Sequence, residues 1–169
     1  MHIQLDKVQP KNKIQLEQLI GYAFKHNIYD LNFIDTSKIT DMQELFGYVE
    51  HDFNVSKWDM SNVKNMSYMF YRCYKFTGKG IGNWDVSNVK DIGGMFAGCE
   101  KFDCDLSNWD MSNVTDMGYA FIDCEKFKGK GLENWNVTNV ANMRRMFDGC
   151  NRLTIPNWYK KLYIVKNKI

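Results

Sequence analysis

Residues 84–108 read WDVSNVKDIGGMFAGCEKFDCDLSN, and the interpretation of this stretch decides that of the whole chain. It recurs: Trp58 opens WDMSNVKNMSYMFYRCYKF, Trp109 opens WDMSNVTDMGYAFIDCEKF and Trp135 opens WNVTNVANMRRMFDGCNRL. The four tryptophans stand 26, 25 and 26 residues apart. A period of that size, held over several copies, marks a stacked repeat architecture, because one unit has too little apolar surface to fold alone. A diverged copy lies upstream, running through Ile34, Ile39, Met42 and Phe46, with isoleucine in place of tryptophan and no cysteine. Atypical end units are expected of such a stack.

Inside each copy the apolar spacing changes. Trp84 and Val86 alternate with polar residues, as in a half-buried strand. Val89, Ile92, Met95 and Phe96 then follow at three-to-four spacing, Ile92 standing three before Met95 and four before Phe96, as in a short helical turn. Glycines in Thr77-Gly78-Lys79-Gly80 and Lys128-Gly129-Lys130-Gly131 supply the positive φ of a tight return. The expectation is therefore one strand, a turn, a short helix and a return loop per copy. The fold class follows: an α/β repeat, a right-handed solenoid of about five coils in one domain.

Both ends need covers, since a terminal coil otherwise exposes its inner face. From Asn12, a candidate N-cap, the residues Ile14, Leu16, Leu19, Ile20, Ala23 and Phe24 have helical spacing. Residues 1–32 are read as an N-terminal cap with this helix. The repeats occupy 33–153, divided at 33–57, 58–83, 84–108, 109–134 and 135–153. Residues 154–169 form a C-terminal cap, in which Trp158, Leu162, Ile164 and Val165 cover the last coil.

Five cysteines occur, at Cys73, Cys99, Cys104, Cys124 and Cys150, and four of them take one repeat position. Such a column reads as small buried thiols; a disulfide framework and a metal site are the alternatives, the latter weakened because no CxxC pair exists. A net charge of +2 demands neither nucleic acid nor membrane. Nowhere do about 18 apolar residues run together, so no membrane-inserted helix is expected. The N-terminus lacks the apolar core and cleavage site of a secretory leader, which favours the cytoplasm, the cell surface being the alternative. No phosphate loop, dinucleotide fingerprint or defensible catalytic constellation appears, so the chain is read as neither an enzyme nor a cofactor protein.

The run WDVSNVxxM…MFxxCxxF, from about Ile34 to Leu153, resembles the BspA-like leucine-rich-repeat surface proteins. The resemblance implies a leucine-rich-repeat-like solenoid and a surface or adhesion role, with no catalytic residues to carry over.

One column suggests a binding surface. Asp35, Asp59, Asp85 and Asp110 recur at one position, with Asn136 last. If Trp84 and Val86 point inward, Asn83, Asp85 and Ser87 point outward, and stacking gives a polar strip on the concave strand face. Its candidate partner-binding residues are Asp59, Ser61, Asn83, Asp85, Ser87, Asn108, Asp110, Ser112 and Asn136. Three readings stay open: each Asp caps its own turn, the strip receives a basic protein segment, or the column binds calcium. The asparagines Asn62, Asn88, Asn113 and Asn139 read as bonding along the stack, and the tryptophans as core. The function expected is a non-enzymatic protein-binding scaffold, for instance an immunity protein that neutralises a toxin, with a surface adhesin as the alternative. Nothing in the sequence fixes an oligomeric state.

Overall fold

The structure is a computed structural model that describes residues 6–166, with side chains to residue 162. The expected covering roles of Ile164 and Val165 lie outside the described side chains. Helix α1 spans Lys13–Lys25 and helix α2 spans Asn157–Lys166. Between them stand two short 3-10 turns, Ile81–Asn83 and Leu132–Asn134. Among the described residues there is no β-strand.

This corrects the α/β leucine-rich-repeat solenoid. The copies touch through isolated parallel bridges: Asp41 to Asn65, Asn65 to Asp91, Asp91 to Asp116, and Asp116 to Asn142. The supposed strand bends too soon, because Val89 N–H donates to the Val86 carbonyl at 2.9 Å and closes a turn directly after the tryptophan. The supposed helix is a chain of turns. Met69, Tyr71 and Cys73 donate back to the carbonyls of Met66, Tyr68 and Phe70. The intervening amides of Met66, Tyr68, Phe70 and Arg72 donate forward to Asp91, Gly93, Met95 and Ala97 in the next copy, at 2.7–2.9 Å. Left-handed residues at two positions per copy, such as Tyr68 (φ 55) and Arg72 (φ 55), set this alternation. An α-helix excludes them, and so does a regular strand. The apolar spacing imitated a helix because chained i to i+3 turns also bring every third or fourth residue to one face.

The core consists of columns. Phe46, Phe70, Phe96, Phe121 and Phe147 stack ring on ring, with centroids 5.5, 5.5, 5.4 and 5.8 Å apart. The indole Nε1 groups of Trp84, Trp109 and Trp135 donate to the carbonyls of Val55, Ile81 and Leu106 in the preceding copy, and that of Trp58 to Leu31 in the N-terminal segment, at 3.0–3.3 Å. A buried indole needs such a partner. The tryptophans are core residues, as the sequence indicated.

At the N-terminal end, Asn12 Oδ1 accepts from the Gln15 amide at 3.0 Å and starts α1. The helix closes through Asn27 (φ 58), with Ile28 N–H on the Ala23 carbonyl at 2.8 Å. Leu16, Ile20 and Ala23 are buried, whereas Ile14, counted on the apolar face in the sequence, is 65% exposed. Lys13 Nζ donates to the Gln43 carbonyl, at the end of the stack where carbonyls point outward. At the other end, Trp158 in α2 donates to the Leu132 carbonyl at 2.7 Å. That is the bond each repeat tryptophan makes.

His51 sits between Phe24 and Tyr29, with ring centroids 4.5 and 4.4 Å away, and its Nε2 is buried with no partner among the described residues. Burial, and secondarily the Lys75 charge, lower its pKa from 6.5. The folded state thus takes up a proton less readily than the unfolded chain, so the contribution is fully present above pH 6.5 and is lost as pH falls through the folded value.

Two outcomes are expected. Phe96 is fully buried, so Phe96→Ala costs about 3–5 kcal/mol; a melting temperature within a degree or two of the parent would contradict this packing. His51→Phe flattens the loss of stability on acidification below pH 6.5, measured by urea titration across the range.

Candidate functional site

The aspartate column builds turns. Asp59 Oδ1 accepts from the Ser61 amide at 2.9 Å and the Ser61 hydroxyl at 2.6 Å, and Asp85 repeats the pair on Ser87 at 3.1 and 2.7 Å. Asp110 accepts from the Ser112 amide at 2.9 Å, and Asn136 from Thr138 at 3.2 and 2.8 Å. These are Asx turns, in which the side chain replaces a backbone acceptor. Hydrogen bonds from Ser87 lower the Asp85 carboxyl below its ordinary value, and the Ser112 amide and hydroxyl do the same for Asp110.

The candidate residues therefore lie on a row of turns; there is no strand face for them to occupy. Asp59, Asp85, Asp110 and Asn136 are exposed, as are Asn83 and Asn108, while Ser61, Ser87 and Ser112 are half-buried beneath them. Asn83 ends the first 3-10 turn. Register along the row comes from the asparagine column. Asn62, Asn88, Asn113 and Asn139 donate Nδ2 to the carbonyls of Ser37, Ser61, Ser87 and Ser112 at 2.9, 2.8, 2.8 and 2.6 Å. Each aspartate uses Oδ1 for its turn. The Oδ2 atoms of Asp59, Asp85 and Asp110 have no partner among the described residues, which leaves one open anionic oxygen in each of these three copies; Asp35 Oδ2 accepts from Gln9 Nε2 at 3.0 Å, and Asn136 carries no charge.

A second acidic column escaped the sequence reading. Asp41, Asn65, Asp91, Asp116 and Asn142 accept from the amides of Gln43, Ser67, Gly93, Gly118 and Arg144 at 2.8–3.1 Å. The signal is present in the sequence: Asp or Asn directly precedes the Met or Ile of every copy. Asn142 Nδ2 bridges to both oxygens of Asp116 at 3.1 and 3.0 Å, and Asn65 Nδ2 reaches Gln43 at 3.3 Å. Only Asp91 and Asp116 put two carboxylates in succession. Burial raises the Asp91 carboxyl, the Gly93 amide opposes this, and the Asp116 charge raises it further.

The cysteine column is a set of free thiols. Cys73, Cys99, Cys124 and Cys150 donate Sγ–H to the carbonyls of Phe46, Phe70, Phe96 and Phe121 at 2.9, 3.0, 3.1 and 2.9 Å. Burial pushes Cys73 and Cys150 up to about 12, and Cys99 and Cys124 well above their ordinary value. They are structural donors and poor nucleophiles.

The basic return loop is partly neutralised. Lys128 pairs with Asp103, and Lys130 with Asp105 at 2.6 Å. The hydrogen bond from Lys130, followed by those from Ser107, holds Asp105 down at about 2. Among the described residues no group of three or more acidic, histidine or cysteine side chains could hold a metal ion. No helix there is long and apolar enough to cross a membrane.

The family described as "Mycoplasma protein of unknown function, DUF285" matches the chain over residues 14–128 and, overlapping, over 40–158. No curated protein and no solved structure matches the chain.

The second column gives a direct test. Asp91→Asn removes the repulsion with Asp116, keeps an oxygen for the Gly93 amide and leaves intact the two bonds that Asp116 accepts from Asn142. A gain of about 0.5–1.5 kcal/mol at neutral pH is expected. Denaturant unfolding checks it, and a loss of stability would show that the pair is not in conflict.

Proposed function

We propose that this chain, which belongs to the DUF285 family, is a non-enzymatic protein-binding scaffold that receives a basic segment of a partner along the edge of Asp59, Asp85 and Asp110. The observation that carries the reading is the open Oδ2 of each of these carboxylates, repeated in three successive copies while Oδ1 is tied to the turn. An ordered row of like charges, pinned by the Asn62, Asn88 and Asn113 amides, attracts a partner carrying cations at matching intervals. The lowered carboxyls of Asp85 and Asp110 keep that edge charged well into the acid range.

A second reading, a cell-surface adhesin of the BspA-like type, is favoured by the WDVSNVxxM…MFxxCxxF motif together with the family match. Protease treatment of intact cells separates the two locations: digestion places the protein outside.

The edge is tested by the triple variant Asp59→Asn, Asp85→Asn and Asp110→Asn. Asn136 already serves the same turn, so each amide keeps the Oδ1 acceptor and only the charge is lost. Melting within a few degrees of the parent is expected, with capture of a basic partner from native lysate weakened about tenfold or more. Undiminished capture removes this edge as the binding surface.

A further inference from the structure

The backbone ladder ends in donors. Met117, Tyr119, Phe121 and Asp123 donate forward to the carbonyls of Asn142, Arg144, Met146 and Asp148 at 2.7–3.0 Å. The matching amides of the last copy, those of Met143, Arg145, Phe147 and Gly149, have no hydrogen-bond partner among the described residues. A row of unpaired main-chain donors at alternate residues is an edge onto which an extended chain adds through its carbonyls. The fit of such a segment is already seen inside the molecule, where each of the first four turn segments meets the next in this register.

Charge narrows the occupant. The peptides of the row share one orientation, so its amide end is the positive pole. At the opposite end of the stack α1 answers the negative pole with Lys13 on the Gln43 carbonyl. Helix α2 brings no carboxylate to the amide end; its sequence carries Lys160 and Lys161. Between Trp135 and Leu162 the chain has Arg144, Arg145, Arg152, Lys160 and Lys161 against a single acid, Asp148, which pairs with Arg145 at 2.7 Å. The Arg144 guanidinium has no partner among the described residues, and Arg144, Arg145 and Gly149 are exposed.

A second copy of this chain does not supply the segment. Its own first turn segment lies behind α1, which packs Phe24 against Phe46 with ring centroids 6.3 Å apart and already holds the Gln43 carbonyl. A helix about 10 Å across keeps away a neighbour that must come within about 4.8 Å. A single extended segment has room where a whole copy does not: α2 covers the core side, with Tyr159 against Phe147 at 4.9 Å and Trp158 on the Leu132 carbonyl, and leaves residues 144, 145, 148 and 149 exposed.

We propose that residues 143–149 form an interaction edge that takes an extended acidic segment of a partner protein, its carbonyls on the open amides and its carboxylates on Arg144 and Arg145. The carboxylates of Asp59, Asp85 and Asp110 take no part, so this edge stands or falls independently of theirs.

The test is a titration of the ¹⁵N-labelled full chain with a capped octapeptide of alternating glutamate and threonine. The alternating lysine and threonine octapeptide and an eight-residue oligothymidylate serve as controls. Saturable shifts over residues 143–149 are expected with the acidic peptide, together with slowed hydrogen exchange at the amides of 143, 145, 147 and 149. Arg144→Gln weakens this binding about tenfold and leaves the melting temperature at the parent's value. Absent shifts, an equal response to the lysine peptide, or unchanged affinity in the variant would overturn the proposal. So would shifts without slowed exchange at the alternate amides, which would mean ion pairing alone, or tighter binding of the oligothymidylate, which would make the edge a nucleic-acid site.

Discussion

The forward hydrogen bond from one copy to the next is the constraint on which everything else in this protein rests. In each of the first four turn segments every second amide points along the stack and meets a carbonyl of the following copy, as Met66, Tyr68, Phe70 and Arg72 meet Asp91, Gly93, Met95 and Ala97. The peptides in each such row share one orientation, so their dipoles add as in a helix. Lys13 on the Gln43 carbonyl places a cation at the end where that sum is negative. The alternating amides cannot also point forward, and they close short turns within their own copy. This is how buried backbone is satisfied without a strand or a helix in the repeat.

The side chains that define the motif run the other way. The indole of Trp84, the amide of Asn88 and the thiol of Cys99 each donate backward, to the carbonyls of Val55, Ser61 and Phe70. Tryptophan, asparagine and cysteine look unrelated as a repeat signature, yet here they share one task at three depths. Each brings a side-chain donor to a carbonyl of the copy before it; those of Val55 and Phe70 also close turns with the amides of Trp58 and Cys73, so the side chain meets the second lone pair. Between these bonds the phenylalanine rings stack, Phe46 on Phe70 at 7° and Phe70 on Phe96 at 2°, with the later pairs at 26° and 27°, so that each copy presents to the next a surface like the one it received. A stack so built is repetitive inside and free to vary outside.

Variation outside is where function can enter. The aspartate edge shows one carboxylate divided between two uses, with Oδ1 closing the turn and Oδ2 open to solvent. The left-handed positions show the same division by copy: glycine at 94 and 98, tyrosine and arginine at 68 and 72. A position can be required by the backbone and still carry a side chain chosen for what it meets in solution.

By itself the sequence determined the period, the apolar columns, the Asn12 cap, the inward tryptophans, the asparagines that bond along the stack and the thiol column. These depend on residue type recurring at fixed spacing, which a single chain displays directly. It misled on strand and helix, because Val89, Ile92, Met95 and Phe96 have helical spacing while their backbone alternates in handedness. Handedness has no compositional mark when Glu44, Tyr48, Tyr68 and Arg72 hold the left-handed sites. The second acidic column went unread because its meaning is a contact between Asp91 and Asp116, 25 residues apart. The open amides of Met143, Arg145, Phe147 and Gly149 were equally unreadable, because only the stacking of the copies decides which amides point along the stack and which close turns.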